Sequence, residues 1–186
     1  MNTAIITGSL SSVAKANNQS LAETFLNADC VVLVDTSSSM LDRDLGSKSR
    51  YDRACQELAT LQNTLPGKIA VISFANDAIF CPSGVPQPPC GTTNLAGALK
   101  FAKVADVGGI RFIVISDGEP DNEREALDVV AQYVGRVDVI FVGREGGPGQ
   151  KFLQRLAKSK GGQAITSENA KELAAAATYL LTSGAA

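Results

Sequence analysis

The sequence predicts an α/β fold: a doubly wound, mostly parallel six-stranded sheet with helices on both faces and one short antiparallel edge strand. Two observations predict it. Short apolar runs rich in β-branched residues alternate with longer segments whose apolar residues recur at helical spacing. Glycines lie at most turns from a predicted helix into the next predicted strand, where helices commonly end. Because strands separated by helices usually pair in parallel, this alternation gives a sheet covered on both sides.

The predicted strands are five apolar runs and one short segment. The runs cover 30–34, 68–74, 110–116, 137–142 and 163–166. Such runs, without polar alternation, are typical of strands buried on both faces. The short segment, 78–81, follows the turn-forming pair Asn76-Asp77, which would return the chain along the sheet as an edge strand.

Amphipathic helices are predicted between the strands. Each is identified by residues that would share one apolar face: Ala54, Leu58, Leu61 and Leu65; Leu95, Leu99 and Ala102; Ala126, Val129, Val130 and Tyr133; Phe152, Leu153 and Leu156; and Leu173, Ala177 and Leu180. Asn94 is expected to cap the second of these helices, and Asn122 with Glu125 has the spacing of a cap and its third helical residue. Ser167 is placed to cap the last, which covers about 168–181.

At 186 residues the chain fits one domain. We expect an N-terminal extension, residues 1–27, and a domain covering 28–186. The extension is expected to start poorly ordered and then to form a short helix, about 20–26, with Ser20 and Glu23 at capping-box spacing.

Composition excludes several functions. The formal net charge of −2 provides no basic field for nucleic acid or for anionic membranes. Histidine is absent, which removes Ser-His-Asp catalysis and most zinc chemistry. No secretory signal and no apolar run long enough to span a bilayer is present, so we expect a cytoplasmic protein without membrane insertion.

The four cysteines have no CxxC spacing. Cys30 and Cys55 fall on a predicted strand and helix and are expected to be buried. Cys81 and Cys90 flank a proline-rich loop, 81–90, that is predicted to be stiff and exposed. It is either a connector with two free thiols or a partner-facing loop pinned by a disulfide; cytoplasmic disulfides are uncommon.

Oxygen-bearing side chains cluster where two predicted strands end. Asp35, Ser37 and Ser39 follow the first apolar run, and Asp117 ends another in the same way. If the two strands are neighbours, their carboxyl ends bring both carboxylates to one site, and the turn that contains Thr93 can reach over from the side. Hydroxyl and carboxylate oxygens suit a hard cation such as Mg2+.

This ordered set resembles the von Willebrand factor type A (vWA) family. The metal-ion-dependent adhesion site of that family has the pattern D-x-S-x-S, then a Thr, then an Asp in a strand-end D-G. Asp35, Ser37 and Ser39 match the first part, Thr93 in GTTNL the second, and Asp117 in ISDGEP the third. The resemblance extends from about residue 28 to the end of the chain and implies a Rossmann-like fold.

The match departs from the pattern at two positions. Ser38 and Thr92 stand where many members have glycine, but neither position is a metal ligand in the pattern. The D-x-S-x-S element alone is weak evidence, since an Asp and Ser residues after a strand also form helix caps and turns. The ordered set of five residues carries the resemblance.

The resemblance implies a role for each residue. Ser37, Ser39 and Thr93 would contact Mg2+ directly, with Mn2+ or Ca2+ as alternatives. Asp35 and Asp117 would act through water or orient the hydroxyls. The metal would then bind an Asp or Glu carboxylate of a protein partner. Bacterial stand-alone members often work beside ATPases or assembly factors, so a partner of that kind is expected, and the last helix moves on binding in some members.

The sequence is also compatible with other functions. A Mg2+-dependent phosphotransferase or hydrolase of the haloacid-dehalogenase type also begins with a strand ending in Asp, but it needs a second Asp where this chain has Ser37. A nucleotide-binding fold would need a phosphate loop, and the glycine-rich segment 143–149 lacks the Lys-Ser/Thr pair. A structural domain with a vestigial metal site is the third alternative. We expect no enzymatic activity.

Overall fold

A computed structural model describes residues 4–43, 47–143 and 146–166. Within these ranges six strands form one sheet in the order β3-β2-β1-β4-β5-β6. The strands are β1 Cys30–Asp35, β2 Ile69–Phe74, β3 Ala78–Phe80, β4 Arg111–Ser116, β5 Val137–Phe141 and β6 Ala164–Thr166. All neighbours pair in parallel except β2 and β3, which are antiparallel. The predicted fold class is confirmed.

The described helices cover both faces of the sheet. They are α1 Leu10–Asn17, α2 Leu21–Leu26, α3 Arg50–Thr64, α4 Leu95–Ala102, α5 Glu123–Val130 and α6 Pro148–Lys158. Successive side chains of β1 point to opposite faces. Leu33 therefore joins a cluster that includes residues of α4, α5 and α6, whereas Val32 joins a second cluster that includes residues of α3. No helix in the described ranges has the length and apolar character needed to cross a membrane.

The N-terminal extension contains one helix more than predicted. Ser9 caps α1 by accepting a hydrogen bond from the Ser12 amide, and Leu10 is buried in the core. The amide of Ile6 donates to the Ser83 carbonyl at 2.9 Å, which attaches the segment to the 81–90 loop. The sequence pattern did not predict α1, because its few apolar residues gave little periodicity. The second helix and the Ser20–Glu23 capping box are confirmed.

The 81–90 loop differs from the prediction in its first half. Gly84 and Pro86 are buried against α3, where the Gln62 side-chain amide donates to the Gly84 carbonyl at 3.0 Å and the Tyr51 hydroxyl donates to the Pro86 carbonyl at 2.9 Å. The loop is therefore a packed connector, not a fully exposed one.

The described cysteines are all free thiols. Cys81 is buried and Cys90 is exposed, so the connector with two free thiols is the alternative that the structure supports. Cys30 is buried as predicted, whereas Cys55 is only half-buried. The predicted last helix and its cap, Ser167, lie outside the described residues.

Candidate metal centre

Asp35 is the anchor of the site at the carboxyl end of β1. The residue has no solvent exposure. Its Oδ1 accepts a hydrogen bond from the Ser37 amide at 2.8 Å, and its Oδ2 accepts one from the Ser116 hydroxyl at 2.6 Å. Because β1 and β4 are neighbours in parallel register, the end of β4 delivers Ser116 to this carboxylate. Both oxygens of Asp35 are thus engaged in holding the loop and the neighbouring strand.

The two serines after Asp35 bring their hydroxyls together. Ser37 directly precedes a single 3-10 turn, Ser38–Leu41, and its Oγ lies 3.0 Å from the Oγ of Ser39. Ser37 is buried, whereas Ser39 is exposed. Met40, fully buried in the same turn, fixes the turn to the core. The two hydroxyl oxygens are therefore in contact, one on the buried serine next to Asp35 and the other on the exposed serine.

Thr93 is held beside this turn by its own loop. Its amide donates to Asp121 Oδ1 at 3.1 Å, and the Thr92 hydroxyl donates to Asp121 Oδ2 at 2.8 Å. The amide of Ser38 donates to the Gly91 carbonyl at 3.2 Å, which joins the Thr93 loop to the serine turn. Asp121 belongs to the loop that follows Asp117. Three loops are thereby connected through hydrogen bonds that fix the backbone of Thr93.

Asp117 follows β4, and its two oxygens differ in their contacts. Its Oδ2 accepts a hydrogen bond from the Arg50 guanidinium at 2.8 Å. Its Oδ1 is buried and has no hydrogen-bond partner among the residues that the structure describes. The next residue, Gly118, has φ +88°, and a Cβ there would lie 2.4 Å from the Gly149 carbonyl oxygen. Only glycine fits this turn, which packs Asp117 against the start of α6.

Arg50 is a component of the site that the sequence did not reveal. It is the first residue of α3, directly after the cap Ser49. Its Nη1 lies 3.4 Å from the Ser39 carbonyl oxygen and 3.7 Å from Asp42 Oδ2, in addition to the contact with Asp117. Nothing in the spacing along the chain marks this arginine, because only the packing of α3 against the sheet brings it to the site.

A cleft of about 260 Å³ opens beside these groups. Its lining includes the acidic residues Asp42, Asp117 and Glu119 together with Arg50 and Ser39. Gly143, Gly147 and Gly149, from the glycine-rich segment before and at the start of α6, also line it. The cleft therefore offers a concave surface with polar and charged groups next to Ser39.

Burial dominates the electrostatics of Asp35. Desolvation raises its pKa from 3.8 to about 6, against the hydrogen bonds from Ser116 and Ser37, which lower it. The negative charge of Asp117 is a smaller contribution to the same increase in the pKa of Asp35. A cation placed between the two carboxylates would oppose both the desolvation and the repulsion.

The donor set fits a hard divalent cation. In the described part of the chain no group of three or more His, Cys, Asp or Glu side chains is arranged to hold a metal. A cation here would depend on hydroxyl oxygens and water, as Mg2+ does where few carboxylates are available. Among the described residues, the buried Asp117 Oδ1 has no hydrogen-bond partner, and the Ser37 and Ser39 hydroxyls contact each other; these are the groups that such an ion would satisfy.

The structure thus brings the predicted residues to one edge of the sheet. Asp35, Ser37 and Ser39 are joined by direct hydrogen bonds. Asp117 is connected to the serine turn through Arg50, and Thr93 through the Gly91 and Asp121 contacts. Sequence reasoning missed two supporting residues, Arg50 and Ser116. For Ser116, its position directly before Asp117 is a usable signal, and Asp121 follows in the acidic loop after Asp117.

Comparison with known proteins shows the fold. No protein-family model and no curated protein matches the sequence. An aerotolerance-related membrane protein from Bacteroides fragilis is similar in structure, with 18% identity and a TM-score of 0.65 over 84% of this chain and 99% of that one. A von Willebrand factor type A protein from Catenulispora acidiphila has 14% identity and a TM-score of 0.65 over 83% of this chain and 42% of that one.

A third solved structure holds a metal. The manganese-loaded TRAP protein of Plasmodium vivax has 18% identity and a TM-score of 0.53 over 71% of this chain and 63% of that one. The chain spans less than two thirds of the Catenulispora and Plasmodium proteins. The structural neighbours include von Willebrand factor type A domains, and this chain has the same Rossmann-like fold.

Proposed function

We propose that this chain is a metal-dependent protein-binding module. In this proposal Ser37, Ser39 and Thr93 hold Mg2+, and the bound ion takes an Asp or Glu carboxylate from a protein partner. The observation that carries the proposal is the hydrogen-bonded group at the end of β1. The fully buried Asp35 uses one oxygen to fix the loop and the other to hold the end of β4, and the Ser37 and Ser39 hydroxyls lie 3.0 Å apart. Ser39 lines the same cleft as Asp117, whose Oδ1 is buried and has no partner among the described residues.

The chain's own residues define what the site can do. Asp35 orients the serine turn and supplies negative charge from behind it, without facing solvent. Asp117 offers one oxygen to the site while Arg50 holds the other. Asp121 fixes Thr93. When bound, Mg2+ supplies a coordination position that exchanges water for an outside carboxylate.

The choice of metal follows from the ligands. Oxygen donors without nitrogen or sulfur favour Mg2+, Mn2+ or Ca2+ over zinc or copper. The Plasmodium vivax neighbour is described as manganese-loaded, which supports a divalent ion in this fold. We therefore propose Mg2+ as the ion that works in the cell and Mn2+ as a probe that binds the same residues.

Recognition is favoured over catalysis at this site. The phosphotransferase alternative requires an Asp that attacks phosphorus. Asp35 has no solvent exposure, and both of its oxygens accept hydrogen bonds, so it is not placed to act as a nucleophile. We propose that the protein is not an enzyme and that the exposed Ser39 and the adjacent cleft form the centre of a binding surface.

The acidic rim restricts the partner. Asp42 and Glu119 line the cleft next to the site. A partner surface carrying many acidic groups would be repelled there. We propose a partner that presents one Asp or Glu among neutral or basic residues; an ATPase or assembly factor with such a surface fits this description.

The proposal is tested by capture of partners in Mg2+ and in EDTA. The wild-type chain is expected to retain a defined protein in Mg2+ and to lose it in EDTA. Asp35→Ala is expected to retain nothing in either buffer, while Lys68→Gln, which removes a charge from an exposed ion pair, should behave as wild type. Equal capture by wild type and Asp35→Ala in both buffers would refute the proposal.

A further inference from the structure

Arg50 forms an ion pair with Asp117, one of the two carboxylates of the site. Its Nη1 lies 2.8 Å from Asp117 Oδ2, and the Arg50 and Asp117 side chains are only 12% and 6% exposed. The same nitrogen is 3.4 Å from the Ser39 carbonyl oxygen and 3.7 Å from Asp42 Oδ2. The guanidinium therefore lies between the serine turn and the end of β4, next to the groups that would hold a cation.

This contact changes the charge balance of the site. Asp35 and Asp117 together would offset the two charges of a divalent ion. The Arg50 guanidinium already pairs with Asp117, whereas Asp35 accepts hydrogen bonds from two neutral donors, the Ser37 amide and the Ser116 hydroxyl. Little solvent screens the ion pair, because both side chains are mostly buried. A divalent ion entering beside Asp117 meets a fixed positive charge.

We propose that Arg50 is an internal counter-ion that competes with divalent metal for Asp117 and thereby sets the metal affinity of the site. This inference rests on the proposed metal-dependent function. Arg50 holds Asp117 in the absence of metal, so the buried carboxylate is never left unpaired, and the same charge weakens metal binding. A partner carboxylate that binds the metal supplies the negative charge that Asp117 does not supply while it pairs with Arg50. Metal and partner therefore bind more strongly together than apart.

Arg50 can be distinguished from a merely structural residue by the direction of the effect. Loss of a residue that only orients Asp117 would weaken metal binding, whereas loss of a competing charge strengthens it. Arg50→Gln removes the charge and keeps a polar side chain that can still donate to Asp117. Arg50→Lys keeps the charge but loses the planar fork of donors.

The experiment is a Mn2+ titration of the full chain, followed by calorimetry and by the electron paramagnetic resonance signal of free Mn2+. Arg50→Gln is expected to bind Mn2+ about tenfold or more tightly than wild type, within the usual range of coupling between two sites. Arg50→Lys is expected to stay within about threefold of wild type, because it retains the charge. Lys68→Gln is the matched control, since it removes one positive charge from the exposed pair with Asp29.

The outcomes separate this inference from the proposed function. Equal or weaker Mn2+ binding by Arg50→Gln, with wild type binding and Asp35→Ala not binding, would overturn the role of Arg50 and leave the metal site standing. No Mn2+ binding at millimolar concentration by either wild type or Arg50→Gln would overturn both. Tighter binding by Lys68→Gln as well would also overturn the inference, because the effect would then be one of net charge.

A second measurement keeps the test decisive if Arg50→Gln does not fold. In wild type, the side-chain 15N resonance of Arg50 is expected to shift when Mg2+ is added and to return with EDTA. A resonance that stays in place at saturating Mg2+ would overturn the competition. Asp35→Ala should show no Mg2+-dependent shift, which ties the response to the metal site.

Discussion

The Ser116 hydroxyl donates a hydrogen bond to Asp35 Oδ2 at 2.6 Å and joins the ends of β1 and β4. Ser116 in turn accepts a hydrogen bond from the Gly118 amide at 2.9 Å, so one hydroxyl connects the buried carboxylate to the turn after Asp117. The two strand ends that form the candidate metal centre are thus held together within the protein itself. The site is organised before any partner arrives.

We expect Ser116→Ala to destabilise the protein. The substitution leaves Asp35 Oδ2 and the Gly118 amide without this partner in a buried environment. Loss of a hydrogen bond to a buried charged group costs about 1.5–3 kcal/mol in the free energy of unfolding. Urea denaturation in EDTA measures the change. Ser38→Ala is the control, because Ser38 is exposed and its hydroxyl bonds only a loop carbonyl at 3.1 Å; an equal loss in both variants would contradict the expectation.

The stability of the metal-free protein should depend on the ionisation of Asp35. Burial raises its pKa from 3.8 to about 6. Between these values the folded state binds more protons than the unfolded state, so this group's contribution is fully present below pH 3.8 and is lost as pH rises through about 6. With 1.36 kcal/mol for each pKa unit, the loss is roughly 3 kcal/mol.

Denaturation in EDTA across this pH window measures the effect. Asp35→Asn cannot ionise and should remove this component of the pH dependence. The difference between the wild-type and Asp35→Asn unfolding free energies is the relevant quantity, since other groups titrate in the same window. A difference that does not change between pH 4 and pH 6.5 would show that the pKa of Asp35 is close to its ordinary value.

Divalent metal should stabilise the folded chain. Mg2+ or Mn2+ at about 100 times its dissociation constant adds roughly 2.7 kcal/mol to the free energy of unfolding. Asp35→Ala should abolish this gain, because it removes a charge and releases the Ser37 amide and the Ser116 hydroxyl. Melting curves in Mg2+ and in EDTA check the expectation; identical wild-type curves at millimolar metal would count against it.

Asp121 should support metal binding without touching the metal. Asp121→Ala removes the acceptor that fixes the Thr93 amide and the Thr92 hydroxyl, so the Thr93 loop loses its position. We expect Mn2+ binding to weaken by about tenfold, as for other residues that orient metal ligands. Glu119→Ala removes the same charge from the same loop without these hydrogen bonds. Comparable weakening in both variants would show that only the charge matters.

Much of the fold could be predicted from local pattern. The main strands are continuous apolar runs, the helices of the domain repeat their apolar residues at a period of 3.6, and the caps at Ser20, Asn94 and Asn122 are encoded within three residues of their partners. α1 was missed, because only a few of its residues face the core. The packed half of the 81–90 loop was missed as well, since its contacts come from Tyr51 and Gln62 on α3.

In the candidate site, too, the residues could be predicted from local sequence, whereas their contacts could not. Asp35, Ser37, Ser39, Thr93 and Asp117 could be selected from the sequence, because each follows a recognisable strand or precedes a recognisable helix. The hydrogen bonds that give them their positions could not. Ser116 is separated from Asp35 by 81 residues, and Arg50 from Asp117 by 67.

The sequence by itself determined the class of the fold, the order of the strands and helices from residue 20 to residue 166, and the oxygen groups that lie at one edge of the sheet. These properties depend on periodicity and on residue type, which are local. Only the tertiary structure decided that Asp35 is fully buried with both oxygens bonded, and that a guanidinium neutralises Asp117. Burial and charge pairing depend on which distant segments pack together, and these determine how strongly a cation would be held.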